Sequence, residues 1–200
     1  MKKFMSMAMA LCMICTMAFS ASAAEITTDG SEGQTPVYLS STDDGTPGGN
    51  PSATAMSVTV PTGLPMSMAQ NGDVTCASDC KIVNNSYGAV RVKSVTISSA
   101  GGWKLTAFGD KSTLANEKVD SNKLGFSMSI GGGDTVATDS TNASTQQLIS
   151  SPISGCRMSG AGNTSGNSVA VRYNAIVTPL SKPVTNANVA NVVFVVEWDT

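Results

Sequence analysis

The sequence predicts an all-β fold: an antiparallel β-sandwich, immunoglobulin-like or jelly-roll-like, carrying a flexible N-terminal tail. Three observations carry that prediction. Short segments that alternate apolar and polar residues recur from residue 55 to the end of the chain. Turns rich in Asn, Gly and Ser separate them. No apolar stripe at helical spacing runs for a useful length. Many short strands with almost no helix fit two packed antiparallel sheets.

Taken in order, residues 1–24 read as a secretory signal peptide. Lys2 and Lys3 precede an apolar run from Phe4 to Ala18, and Ala21-Ser22-Ala23 supplies the small residues of a cleavage site near Ala23 or Ala24. The run is short for a membrane anchor and lacks a basic stop-transfer cluster. Ile14 is bulky where a small residue should precede a lipidated Cys15. The expectation is export, to the extracellular space or the cell envelope. Residues 25–54 form the second region, built from Gly, Ser, Thr, Asp and Pro. Its one strand-like island is Thr35-Pro36-Val37-Tyr38-Leu39-Ser40, and the rest reads as a linker. Val37, Tyr38 and Leu39 are therefore a candidate donor strand, able to pair with its own sheet or with a neighbour's.

Residues 55–200 form the sandwich domain. Ala55 to Val60 alternates and ends at Pro61, which cannot donate to a ladder. Met66-Ser67-Met68 is closed by the turn signal Asn71-Gly72-Asp73. Lys81-Ile82-Val83 ends at Asn84-Asn85-Ser86. In the next strand Val90 and Val92 share one parity while Val95 and Ile97 share the other, which predicts a bulge around Lys93-Ser94. Gly101-Gly102 turns the chain into Trp103 to Phe108, and Leu114 to Val119 has the pattern of one or two helical turns. Leu124, Phe126, Met128 and Ile130 alternate cleanly until Gly131-Gly132-Gly133. Residues 134–166 are mostly small and polar, with an apolar knot at Leu148, Ile149 and Ile153. Val169, Val171, Tyr173, Ala175 and Val177 form another inward row. Val192 to Trp198 is apolar on both faces until Glu197, the pattern of a central strand.

Composition narrows the function. Loss of Lys2 and Lys3 with the signal takes Lys+Arg from 12 to 10 against 14 acids, so the net charge moves from −2 to −4. No basic stripe is present, so nucleic acid is not an expected partner. The chain has no histidine, which removes the usual general base and the commonest transition-metal ligand. Paired carboxylates survive that test, but most acids sit in Gly/Ser/Thr-rich loops where they are simply solvated. The reading is non-enzymatic, with no cofactor and no metal. Asp43-Asp44-Gly45 and the loop from Gly131 to Asp139 offer oxygen ligands, but neither has calcium-loop spacing.

Three cysteines remain after cleavage: Cys76, Cys80 and Cys156. In an oxidising compartment two of them pair and one is left over. A Cys76–Cys80 bridge needs a turn, since an extended chain would hold those residues roughly 13 Å apart at ~3.3 Å per residue. That bridge competes with a long-range one to Cys156. Trp103 and Trp198 read first as core anchors, and second as aromatic platforms for sugar rings.

The block Ser57 to Pro65, then Asn71 to Thr75, then Lys81 to Ser86, resembles exported surface proteins of Gram-positive anaerobes. With Val90 to Ile97, Gly102-Trp103 and Val192 to Asp199, the likeness covers most of residues 55–200. In layout it is similar to WxL cell-wall-binding domains, whose two Trp-x-Leu motifs lie mid-domain and near the C-terminus. Trp103-Lys104-Leu105 matches the first, while Trp198-Asp199-Thr200 keeps the Trp without the Leu. It is also similar to camelysin/TasA-like matrix proteins, sandwiches in which an N-terminal segment can complete a neighbour's sheet. The resemblance implies a cell-surface structural protein that associates with itself or with other surface proteins. Its alternative implication is a module binding peptidoglycan or polysaccharide, with Trp103, Leu105 and Trp198 as the wall or glycan contacts.

Overall fold

Ten-residue β5 (Val90–Ser99) is the spine of a four-stranded sheet. The computed structural model describes residues 55–200, so the expected signal peptide, the 25–54 segment and its candidate donor strand lie outside the described residues. The strands follow in the order β1 (Val58–Thr59), β2 (Met66–Met68), β3 (Val74–Cys76), β4 (Lys81–Asn84), β5, and β6 (Lys104–Thr106). After one helical turn, α1 (Ser112–Ala115), come β7 (Lys123–Ile130), β8 (Val136–Ala137), β9 (Thr145–Ile149) and β10 (Arg157–Met158). The long strands β11 (Ser168–Val177) and β12 (Ala190–Trp198) close the chain. The fold is all-β and the sheets enclose one apolar core, as a β-sandwich does.

One sheet runs β1-β4-β11-β7-β6, with β8 also paired to β7. The other runs β10-β5-β12, with β9 also on β5, and β2-β3 is a separate hairpin. All pairings are antiparallel except β6 with β7, which is parallel. Register follows apolar parity. On β11 and β7, Val171 opposes Ile130, Tyr173 opposes Met128, Ala175 opposes Phe126 and Val177 opposes Leu124. Directly opposed pairs share a face, so two alternating rows become one apolar surface.

The expected bulge is present. Ser94 pairs with Val195 and Val92 with Val196, leaving Lys93 without a partner on β12. The extra residue resets the parity, and Val90, Val92, Val95 and Ile97 are all buried. Gly101 and Gly102 turn the chain with φ of 58° and 81°, a conformation that glycine adopts without a Cβ penalty. β7 is buried on both faces where one was expected, because Gly125 packs beneath the Ala107 carbonyl and Ile176. A Cβ there would meet both at 2.8 Å.

Three expectations change. The helical turn falls at Ser112–Ala115, earlier than the apolar residues indicated; it still buries Leu114. Residues 134–166 contain three strands, β8, β9 and β10, that their polarity concealed. β9 buries Gln146, whose amide is satisfied by Asp139 and Asn142, so a polar residue occupies an inward position without an unpaired group. β12 is not a central strand. Among the described residues it pairs with β5 alone and forms a sheet edge.

Candidate functional site

Which backbone groups β12 leaves free follows from the bonds on its neighbour. The Val92 N–H donates to the Cys156 carbonyl at 3.0 Å, and the Ser99 N–H to the Ser144 carbonyl at 2.8 Å, both away from β12. In an antiparallel ladder, opposed residues exchange both of their bonds or neither. Val92 opposes Val196 and Ser99 opposes Ala190, so these two β12 residues aim their N–H and C=O groups outward. Val192 and Phe194 share that parity. The Asp199 N–H has the opposite parity and donates to Ala89 on the β5 side at 3.0 Å, consistent with the assignment.

The side chains of this edge are apolar on both faces. Val192, Phe194 and Val196 point inward yet remain only half-buried, while their β5 partners are sealed. Val193 and Val195 point outward and are 54% and 43% exposed. Beside the inner face lies a groove of about 1280 Å³. Val192 and Phe194 line it, with Trp103 and Val177 behind and Leu64 and Met66 of the β2 region also on its wall. Among the described residues β2 pairs only with β3. Two strands whose outer edges are unpaired among the described residues therefore border one groove, whose wall also carries Asp110, Lys111 and Lys182.

Tyr173 positions the β2 wall. Its hydroxyl donates to the Pro65 carbonyl at 2.5 Å and accepts from the Ala77 N–H at 3.3 Å, tying both ends of the hairpin to β11. Burial pushes its phenol up to about 12, so it stays a neutral donor. At the far end of β12, Trp198 covers Gly88, where an added Cβ would approach the indole to 3.0 Å. An ion-pair network crosses the outer face there: Arg91 and Lys93 meet Glu197, and Arg91 and Arg157 meet Asp199.

The other singled-out residues are dispersed. Trp103 is 9% exposed and Leu105 3%, and both belong to the core. A ring buried to that extent offers no face to a sugar. Trp198 is half-buried and distinct from the groove lining. Cys76, Cys80 and Cys156 are all free, so the expected bridge is not formed. The reason lies in where the thiols point: Cys80 Sγ faces the Gly63 carbonyl at 4.0 Å, and Cys76 lies against the Ala175 backbone. Cys156 is sealed in the core, and burial raises its thiol pKa. The Asp139 carboxylate is taken up by the Thr141 N–H and hydroxyl, and no cluster of three metal-binding side chains occurs among the described residues. No helix among the described residues is long and apolar enough to cross a membrane.

Comparisons with protein-family models, curated proteins and solved structures return no match. The β12 edge is the feature that sequence reasoning missed. Apolar residues on both faces are equally the signature of a strand flanked by two neighbours and of one that lacks its second neighbour. The pairing partner alone separates them.

Proposed function

We propose that this chain is an exported, non-enzymatic structural protein of the cell surface or extracellular matrix, assembling with its own copies by strand addition. The observation that supports this most is the edge of β12, 9 residues long and unpaired among the described residues, beside a groove that Val192 and Phe194 line. Free N–H and C=O groups on a long apolar strand are a template for another chain. Proteins that must stay monomeric blunt such edges with charges, prolines or bulges. β12 has no proline, its first charge is Glu197, and the bulge is on β5. A histidine-free chain with solvated loop acids supports a non-catalytic role. Burial of Trp103 and Leu105 weighs against a wall-binding role through a Trp-x-Leu motif.

The test is negative-stain microscopy of the mature protein, residues 25–200, over rising concentration. Filaments or a matrix are expected. Monodisperse monomers at every concentration would overturn the reading.

Export also bears on the cysteines. In the oxidised mature protein we assign the bridge to Cys76 and Cys80, whose thiols would turn away from the Ala175 backbone and the Gly63 carbonyl that they face in the reduced structure, and leave Cys156 as the buried thiol. A small-molecule or protein disulfide would take up the two electrons and two protons.

A further inference from the structure

We propose that the β2–β3 hairpin is a hinged flap over the groove, held shut by one clasp at its base and one at its tip. The inference stands on the described residues alone and does not depend on the assembly reading. Register shows where the flap begins. Val58 on β1 opposes Asn84 on β4, and Met66 on β2 opposes Cys76 on β3. Eight residues forward on one side match eight back on the other, so residues 58–84 are a single long hairpin whose ladder is interrupted. The interruption is Pro61-Thr62-Gly63-Leu64-Pro65, which faces Ala77 to Lys81. Neither proline can donate to a ladder, and a Cβ added to Gly63 would meet nothing within 4 Å. A few loop residues with room to rotate are what a hinge requires.

The two halves of this hairpin are held differently. The inner half is fixed: β4 pairs with β11, and Ile82 and Asn84 are 0% exposed. The outer half, β2 with β3, joins neither sheet, and none of its strand residues is buried. Leu64, Met66 and Val74 pack against the core only in part, because they share the groove of about 1280 Å³ with Trp103, Val192 and Phe194. Polar contacts therefore hold the flap. At the base, the Tyr173 hydroxyl bonds Pro65 and Ala77. At the tip, the Asp73 carboxylate pairs with Lys111 at the start of α1, whose ammonium also reaches the Asn71 carbonyl at 3.5 Å. The tip clasp is exposed, so salt screens it and its contribution is small. Few buried contacts place a segment at the low end of local stability. Opening the flap uncovers the groove wall, Trp103 included.

The experiment is hydrogen exchange, read by mass spectrometry, on mature protein, residues 25–200, with its thiols kept reduced. A two-stranded hairpin detached from its surroundings is marginal in water, so opening registers as exchange. Residues 64–77 are expected to exchange by local opening, ahead of residues 81–84 and 168–177. Asp73→Asn removes the tip clasp and is expected to speed exchange of residues 64–77 by roughly two- to fivefold, the range for one exposed ion pair. Residues 123–130 are expected to stay as they are in the parent. Salt at ~1 M is expected to speed the parent's flap in the same way and to leave Asp73→Asn unmoved. Tyr173→Phe removes the base clasp and is expected to speed flap exchange about tenfold. In a Trp198→Phe background Trp103 is the sole tryptophan, and quenching of its fluorescence by acrylamide is expected to rise with each clasp removed. Exchange of residues 64–77 that keeps pace with 168–177 in the parent and in Asp73→Asn would show the hairpin fixed in the sandwich, and overturn the flap. Faster exchange of residues 64–77 with unchanged Trp103 quenching would show fraying that leaves the groove covered, and overturn the gating.

Discussion

Trp103 and Tyr173 show how far single side chains decide the surroundings of the groove. Trp103 reaches the groove lining from a core position, so its removal acts on stability. Trp103→Ala is expected to cost about 3–5 kcal/mol, the range for emptying a large aromatic site. Chemical denaturation measures the loss, and pull-down on washed peptidoglycan is expected to remain as it is in the parent. A folded Trp103→Ala protein that loses wall binding would instead return the wall-binding reading. Tyr173 acts through its hydroxyl, which bonds to Pro65 and Ala77. Tyr173→Phe keeps the ring stacked on Phe126, at 5.9 Å between centroids, and deletes only those bonds. The expected cost is about 1–3 kcal/mol, because the Ala77 N–H loses its partner in a partly buried place. Hydrogen exchange is expected to rise over β2 and β3 before it rises over β11. The cysteines belong to the same scale. Non-reduced mass spectrometry of exported protein is expected to find Cys76 joined to Cys80 and Cys156 free. Three free thiols in fresh material would exclude that bridge.

At the scale of elements, β12 is held by its ladder to β5 and by charges at its C-terminal end. Lys93 bonds Glu197, as does Arg91, and together they hold this carboxyl below the usual carboxylate range. A folded pKa below the unfolded value means that the contribution is present above the unfolded pKa. It is lost as pH falls through the folded one. The pairs are solvent-accessible, so the effect is small. Lowering pH from about 6 to about 3 is expected to reduce Tm, and Glu197→Gln is expected to shrink that drop. An unchanged acid response in Glu197→Gln would show that the drop originates in other carboxylates. Asp73, Asp110, Asp120 and Asp139, whose pKa values are also lowered, act in the same direction. Elements also explain the missed strands. Short β8 and β10 contribute two residues each, and a bulge at Leu148 breaks the period of β9. Alternation needs more residues than these to be visible.

The described residues form a sandwich whose β12 edge is unpaired among them. Its two long-strand pairs, β5 with β12 and β7 with β11, were legible because each carries a full apolar row matched in register. The two walls of the groove, β2 and β12, lie far apart in the sequence, and only assembly of the sheets brings them together. Most of the apolar burial lies in the long strands β5, β7 and β11. Edge variants are accordingly expected to change assembly far more than unfolding.

The amino-acid sequence by itself determined the fold class, most strand positions, the bulge at Lys93 and the turns at Gly72, Gly101 and Gly131, because period and backbone freedom are local properties. The tertiary structure decided what local patterns do not encode. It made β12 an edge, took Trp103 and Leu105 into the core, and turned the Cys76 and Cys80 thiols toward different backbone groups. It also set β2 and β12 on one groove. Each of these depends on which surfaces meet across the sandwich, and neighbours distant in the chain settle that through burial.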